Sequence, residues 1–406
     1  MGCNAAFPEG VAHMNRLLAR YTNSYLSYVL LYLFYNIGFA AFSALISVYL
    51  IDKGYAASQV SLVVSVAALA AMLTQPVIGS LTDRFGMRRV NLIMFVTACV
   101  AAFVFIFARA FALVLSMYAL MYLLINGANP VVERMATSSP YGYGKVRMWG
   151  TLGFAAGTQV AGLVYDYFSP ESLYVLFIGA MVVCIIGFLG TQPRIPEAEV
   201  ANVASDGEPV SMRDLVTNKK FLYYLVIEML LCGVTGGAYS FIPSYLTNLG
   251  LPAATASTIL SVAVVCELPL ILLSAKFMDK VPNKTLLMCC FGMLVVQTLI
   301  YGLALPLPLI IVATFIGKHP PAMLNIMTNM KVVNTIVDPR QQITGLALAK
   351  AAQNLGTIIA NNICGRMIDA FGYPPMFCFL LGMAAAGMLL SLLFQVPSGN
   401  DKKLFS

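Results

Sequence analysis

Long apolar runs fill most of this 406-residue chain, and short polar loops separate them. The runs are about 20 residues long, the length of a membrane-spanning helix, and they lack the alternation that a β-barrel requires. Charged residues make up 10% of the chain, against about a quarter in a soluble domain. Because backbone polar groups in lipid must pair among themselves, the sequence predicts an all-α membrane protein. The twelve predicted spans are 24–50, 59–80, 90–108, 112–137, 146–168, 172–191, 221–246, 254–278, 285–304, 307–334, 342–368 and 373–395.

Basic residues are concentrated in alternate loops of this predicted bundle. Loops that follow even-numbered spans contain most of the lysines and arginines, such as Arg88, Lys145 and Lys220, and loops that follow odd-numbered spans contain few. Because cytoplasmic loops carry an excess of Lys and Arg, both termini are predicted to be cytoplasmic, in a plasma (inner) membrane. The net charge of +7 is explained by this orientation, and no nucleic-acid partner is expected.

The loop between the second and third predicted spans combines an acid with three arginines. It reads Gly-Ser-Leu-Thr-Asp-Arg-Phe-Gly-Met-Arg-Arg over 79–89, and a weaker copy, Lys-Phe-Met-Asp-Lys-Val-Pro-Asn-Lys, occupies 276–284. Asp83 therefore corresponds to Asp279. Two such loops, half a chain apart, predict an internally repeated protein.

Loops of the form G-x-L-x-D-R-x-G-x-R-R at this place resemble the signature loop of the major facilitator superfamily of membrane transporters. The resemblance implies twelve helices in two pseudo-symmetric halves, which rock around a midplane site to give alternating access. It also implies gating roles for Asp83, Arg84 and Asp279, with Asp83 meeting the N-terminus of the eleventh span. From the residues alone, the same basic cluster is also explained by membrane orientation.

A polar stretch divides the predicted spans into two groups of six. We therefore predict an N-terminal six-helix half over 1–192, a cytoplasmic linker over 193–220 and a C-terminal six-helix half over 221–406. Within the linker, Ser211 is suited to cap a short surface helix that runs to Leu215.

The fifth and eleventh predicted spans repeat the same order of small and acidic residues. The aligned pairs are Gly153 with Gly356, Gly162 with Gly365, and Asp166 with Asp369. Glycines at such a spacing let helices approach closely, so tight packing is favoured over ligand contact as their role.

Several charged residues lie within the predicted spans, where each costs about 2.5–3.5 kcal/mol on insertion scales. A chain that keeps them gains a function or a stabilising ion pair from them. Glu267, near the middle of the eighth span, is the strongest candidate to carry a proton or bind a solute; permanent pairing with Lys318 or Lys350 is the alternative. The candidates for substrate binding or proton coupling are Asn126, Glu133, Arg147, Glu228, Glu267, Lys318 and Lys350.

The tenth predicted span contains Lys318 and His319, followed by Pro320 and Pro321. Two prolines remove backbone donors and are predicted to disturb the helix at this depth. Neighbouring helix positions point about 100° apart, so the two side chains cannot both face one partner. Lys318 is favoured as the residue that faces the cavity, and for His319 both a cavity-facing and a packing position remain alternatives. Glu228 is either buried in the seventh span or within reach of the cytoplasmic interface.

Two further stretches resemble the superfamily branch that contains lactose permease and the phenylpropionate permeases. The first, Asn-Gly-Ala-Asn-Pro-Val-Val-Glu, ends at Glu133, and the second, Tyr-Gly-Lys-Val-Arg-Met-Trp-Gly, contains Arg147. The resemblance implies substrate-binding roles for these two residues and for Asn126. In the same way, Glu267 matches a glutamate that contacts sugar hydroxyls in that branch.

The chain departs from that branch in ways that affect coupling. Phe154 stands where a stacking tryptophan is expected, Lys318 and Pro321 replace a histidine and a proton-carrying glutamate, and the ninth span lacks an arginine. The proton relay of the branch is therefore missing at its usual place. We expect the coupling carboxyl at Glu267 or Glu133.

Aromatic residues are frequent in the first predicted span. Tyr28, Tyr32, Tyr35 and Phe39 follow one another at steps of four, three and four, so they share one helix face. They either pack against neighbouring helices or line a cavity for a ring-bearing solute.

These observations predict a secondary active transporter of a small solute, namely a sugar, a nucleoside or an aromatic or other organic acid. Proton-coupled symport is favoured, and an efflux proton antiporter of the same superfamily is the alternative. The cations near the site favour an anionic solute, with a neutral sugar or nucleoside close behind. Against efflux, 150–162 lacks the proline that is frequent in the fifth span of such pumps.

Motifs for other functions are missing from the sequence. It contains no H-E-x-x-H, nucleophile elbow or phosphate loop, so we do not expect an enzyme or a cofactor. The nine cysteines form no C-x-x-C pair, and no metal site is expected. The expected partners are the solute, protons and the lipid bilayer, with the monomer as the functional unit.

Overall fold

The computed structural model describes residues 21–137, 139–141, 143–192, 215, 217–338 and 341–396. Within them the chain forms fifteen α-helices and no strand. Most of the predicted linker, with Ser211, lies outside the described residues. The helices are α1 (Tyr25–Ser43), α2 (Ile46–Asp52), α3 (Ala57–Phe85), α4 (Met87–Phe107), α5 (Phe111–Thr137), α6 (Tyr143–Tyr167), α7 (Ser172–Gly190), α8 (Lys219–Asn248), α9 (Ala253–Val265), α10 (Leu268–Phe277), α11 (Asn283–Gly302), α12 (Leu307–Gly317), α13 (Pro320–Ile336), α14 (Gln342–Phe371) and α15 (Tyr373–Leu393).

Ten helical stretches in the described residues are long and apolar enough to cross a membrane, which confirms the predicted all-α membrane fold. The remaining two of the twelve predicted spans correspond to α6 and α14, which are 25 and 30 residues long but less apolar. Each of these helices packs between two others, α6 between α1 and α9, and α14 between α8 and α3. Their small and polar residues serve those contacts instead of lipid, and the count of twelve spans stays a prediction.

Three predicted spans are interrupted by a short break: α1 gives way to α2, α9 to α10, and α12 to α13. The third break, at Lys318 and His319, confirms the disturbance predicted from the two prolines. The second break, at Cys266 and Glu267, was not predicted. It precedes Pro269, whose missing N–H leaves the carbonyl four residues earlier without its helical donor.

Glycines allow the same close helix crossing in two parts of the bundle. A β-carbon at Gly153 of α6 would collide with the Leu33 carbonyl of α1. A β-carbon at the aligned Gly356 of α14 would likewise collide with the Met229 carbonyl of α8. Backbones at this distance pack without intervening side chains, so the predicted packing role of these two glycines is confirmed.

The helices α1–α7 and α8–α15, here the first and second groups, meet at one end of the bundle. We call this the far end, because it lies opposite the end of α7 and the start of α8. There, α9 packs on α6 and α3 packs on α14. Ser261 Oγ donates to Ala155 O at 2.8 Å, and Asn362 Nδ2 donates to Ser65 Oγ at 2.8 Å. Both hydrogen bonds cross between the groups and hold the far end closed.

Two acids reinforce this closure by capping helices of the opposite group. Asp166, at the end of α6, accepts from the Ala254 amide at 2.6 Å. Asp369, at the end of α14, accepts from the amides of Ala57 and Ser58 at 2.8 and 2.9 Å. A carboxylate at a helix N-terminus satisfies free N–H groups and interacts favourably with the helix dipole.

Replacing Gly356 by alanine is expected to destabilise the bundle, because the new methyl group overlaps the Met229 carbonyl. Overpacking of this kind costs about 1–3 kcal/mol. Thermal unfolding in detergent should show a lower Tm for Gly356→Ala. The control is Gly292→Ala, since a β-carbon at Gly292 meets nothing within 4 Å. Equal Tm values for both variants would contradict the close crossing.

Removing the Asp369 carboxylate is expected to release the amides of Ala57 and Ser58 to solvent exchange. A hydrogen bond to a charged group contributes about 1.5–3 kcal/mol, so Asp369→Ala should accelerate their exchange at least about tenfold. Hydrogen–deuterium exchange mass spectrometry measures this on peptides from the start of α3. Glu171→Gln, at the same end, is the control and should leave the exchange unchanged.

Candidate functional site

A cavity of about 150 Å³ lies among the helices of the first group, where α1, α5 and α6 face one another. It combines charged, amide and aromatic side chains, as small-solute sites do. The lining residues are Tyr32, Tyr35, Asn36, Phe39, Asn126, Asn129, Val132, Glu133, Arg147 and Phe154. Three of the predicted site residues, Asn126, Glu133 and Arg147, are therefore brought together. We call this the first-group cavity.

An ion pair between Glu133 and Arg147 dominates the cavity. Arg147 Nε lies 3.2 Å from Glu133 Oε1, and the two side chains are 43% and 37% exposed. Tyr32 Oη lies 3.1 Å from Glu133 Oε2 and 3.0 Å from Val132 O. Because both charges keep substantial exposure, a polar solute entering the cavity can reach them.

Local sequence explains how these side chains converge. Asn126, Asn129 and Glu133 are spaced at three and four residues, which places them on one face of α5. On α6, Gly150 leaves the space that the arginine occupies, since a β-carbon there would lie 2.7 Å from Arg147 Nη1. A larger residue at Gly150 would therefore move the guanidinium group.

The aromatic face predicted on the first span divides between two roles. Tyr32, Tyr35 and Phe39 line the first-group cavity, with the Phe39 ring centroid 6.0 Å from that of Phe154. Tyr28 does not line it; this tyrosine is buried, and its hydroxyl contacts Asn23 Oδ1 and Gln192 O, both at 3.1 Å. Only part of that helix face is therefore available to a solute.

The two helix breaks of the second group bring Glu267, Lys318 and His319 together. His319 Nδ1 lies 3.6 Å from Glu267 Oε2, so the histidine faces Glu267 and the lysine does not. Lys318 is 6% exposed, and its ammonium group lies 3.9 Å from the centre of the Tyr239 ring, in cation–π geometry. Because the Phe154 ring lies 6.2 Å from His319, this break cluster adjoins the wall of the first-group cavity.

Glu228 lies in a separate polar cluster of the second group and is fully buried. Its Oε1 is 2.6 Å from Tyr224 Oη, and its Oε2 accepts from Asn325 Nδ2 at 3.0 Å and from Gln353 Nε2 at 2.6 Å. Lys350 is exposed and near enough to interact electrostatically with Glu228. The structure thus selects burial for Glu228 over the interfacial position.

The three predicted gating residues lie at the end where α7 is followed by α8. Arg84 is exposed, and its Cζ lies 5.3 Å from the Phe85 ring centre. Asp279 is buried near Lys331, which donates to Met278 O and Val281 O at 2.6 and 2.7 Å. The side chain of Asp83 lies outside the described part of the chain. Gating by these residues stays a prediction.

The sequence reasoning missed several neutral polar residues of these sites. Asn36 and Asn129 line the first-group cavity, and Asn325 and Gln353 surround Glu228. An amide at membrane depth is itself a signal, because it needs a partner there. The four-residue spacing of Asn325 and Asn329 on α13 would have indicated one polar helix face.

Comparison with known proteins gives matches over most of this chain. The sequence model of the MFS_1 like family matches residues 25–390. The uncharacterized transporter YwbF of Bacillus subtilis (strain 168) is 24% identical over 383 residues, covering 92% of this chain and 94% of YwbF. Maltose permease of Geobacillus stearothermophilus is 23% identical over 385 residues, covering 91% of this chain and 96% of the permease.

A solved structure shows the same fold. The crystal structure of a mutant of the nucleoside transporter NupG superposes on this chain with a TM-score of 0.81. The match covers 91% of this chain and 99% of NupG at 15% sequence identity.

Proposed function

This chain belongs to the MFS_1 like family, as the resemblance of its 79–89 loop to major facilitator transporters predicted, and on that premise we propose its substrate and coupling. The protein takes up a small neutral sugar or nucleoside together with a proton, by alternating access. The observation that carries the proposal is the Glu133–Arg147 ion pair in a cavity lined by amides and aromatic rings.

The cavity chemistry fits a solute rich in hydroxyl groups. Glu133 accepts hydrogen bonds, Arg147 donates them, and the asparagines do both. The two charges balance each other, so the first-group cavity suits a neutral solute better than an anion. The partly buried rings of Phe39 and Phe154 line the cavity and provide a surface for a sugar or base ring.

Relatives support the same solute class. Maltose permease is similar over nearly its whole length, and the fold matches that of a nucleoside transporter. Both names indicate a hydroxyl-bearing ring compound. Proton coupling is supported by the carboxyl groups within the spanning helices, Glu133, Glu228 and Glu267, because each of them is costly there and can carry a proton.

The orientation and the halves form part of the proposal. We place both termini in the cytoplasm, because the basic loops lie at the end of the bundle opposite the far end. We also propose that the protein acts as a monomer in the plasma membrane. The halves 1–192 and 221–406 would then rock about the cavity, and the closed far end would face outward. The described contacts thus correspond to a state closed to the outside.

Neutralising Glu133 is expected to abolish most transport. Glu133→Gln leaves Arg147 without its carboxylate and removes a charged acceptor, and such hydrogen bonds contribute about 1.5–3 kcal/mol. Counterflow of radiolabelled maltose or uridine in proteoliposomes should therefore fall at least about tenfold. Glu171→Gln is the matched control, since Glu171 pairs with Lys53 at 3.5 Å and is 39% exposed, close to the 37% of Glu133.

Transport by the wild-type protein tests both the proposed solute class and the proposed proton coupling. With the panel of maltose, lactose, uridine and 3-phenylpropionate, we expect solute-driven acidification of the liposome lumen by a sugar or the nucleoside. Acidification by 3-phenylpropionate alone would contradict the neutral solute. Accumulation driven by the opposite proton gradient would indicate antiport, and no transport of any of the four would contradict the solute class.

A further inference from the structure

Glu228 is held by three helices of the second group at once. Tyr224 belongs to α8, Asn325 to α13 and Gln353 to α14, and each of them hydrogen-bonds the carboxyl group. The side chain is fully buried. A carboxyl group with this many partners has a fixed position, so a change in its charge acts on all three helices.

With the Asn329 amide oxygen turned towards Tyr224, the hydrogen bonds around Tyr224 contain one acceptor too many for an ionised Glu228. The Tyr224 hydroxyl lies 2.6 Å from Glu228 Oε1 and 3.0 Å from Asn329 Oδ1, and a phenol has a single hydrogen to donate. When that hydrogen goes to Asn329, the contact with Glu228 requires a hydrogen on Oε1. When Glu228 is neutral, both the Glu228–Tyr224 contact and the Tyr224–Asn329 contact therefore contain a hydrogen.

We infer that Glu228 is the carboxyl group that binds the coupling proton, and that Tyr224 and Asn329 form the hydrogen-bonded chain that accommodates it. The inference rests on the proton symport proposed above and names its proton site. A proton from water adds to Oε1, Glu228 then donates to Tyr224, and Tyr224 donates to Asn329. On release the proton returns to water, Tyr224 donates to the carboxylate, and the Asn329 amide turns its Nδ2 to the phenol oxygen.

The charge of Glu228 affects α14 through Lys350. The titratable groups that face Glu228 are Tyr224 and Cys232 on α8, Cys290 on α11 and Lys350 on α14. Of these, the lysine is the one ordinarily charged at neutral pH. An ionised Glu228 attracts Lys350, and protonation removes that attraction. Because α14 also packs on α3 of the first group, the proton acts on a helix that joins the two groups.

The test is pH-difference infrared spectroscopy of the purified full-length protein in proteoliposomes, which needs no substrate. We expect Glu228→Gln to lose one carboxyl C=O band that the wild type and Glu171→Gln retain. Asn329→Leu leaves the Tyr224 hydrogen without an acceptor when Glu228 is protonated, and it removes only a donor to the phenol oxygen when Glu228 is ionised. The unpaired hydrogen is the costlier loss, so the same band should develop at a pH lower by up to about one unit. An unchanged set of bands in Glu228→Gln overturns the inference.

Transport gives a second readout with maltose and uridine as probes. Glu228→Gln should retain counterflow, which needs no net proton movement, and should lose accumulation driven by a pH gradient. Accumulation equal to that of the wild type overturns the inference. If the wild type moves neither probe, the proposed solutes are wrong and the infrared band still decides the proton site. If Glu228→Gln does not fold, an Asn329→Leu band at the wild-type pH overturns it.

Discussion

A peptide group left unpaired in lipid costs several kcal/mol, and the rest of this structure follows from that constraint. It makes every described element a helix and leaves polar chemistry to positions that other helices enclose. The two breaks of the second group are such positions, and they hold Glu267, Lys318 and His319. A side chain at one break can contact a side chain at the other, as the His319–Glu267 contact shows.

Apolar run length predicted most helix bounds, because crossing lipid fixes both the length and the composition of a segment. The break before Pro320 was also predictable, since two adjacent prolines remove two donors. The break at Glu267 was not, because the single Pro269 acts on a carbonyl four residues earlier, before the charged residue. The lower hydropathy of α6 and α14 likewise reflects their neighbours. The glycine spacing of these helices predicted tight packing, but it did not indicate which helices they contact.

The residues of the two sites were likewise predictable in one case and not in the other. Asn126, Glu133 and Arg147 were predicted together because they lie on recognisable stretches of adjacent helices. The partners of Glu228 are neutral residues on three helices that are distant in sequence, and their meeting depends on how each helix is rotated. Chemically, the two sites differ as well: the Glu133–Arg147 pair is partly exposed and can exchange partners, whereas Glu228 is fully buried among its hydrogen-bond partners. Under the two proposals, solute and proton therefore bind to different groups of helices.

The caps at the far end differ in the number of amides that each carboxylate holds. Asp369 holds two amides of α3, whereas Asp166 holds one amide of α9. Separating α3 from α14 therefore leaves two backbone N–H groups for water to satisfy, and separating α6 from α9 leaves one.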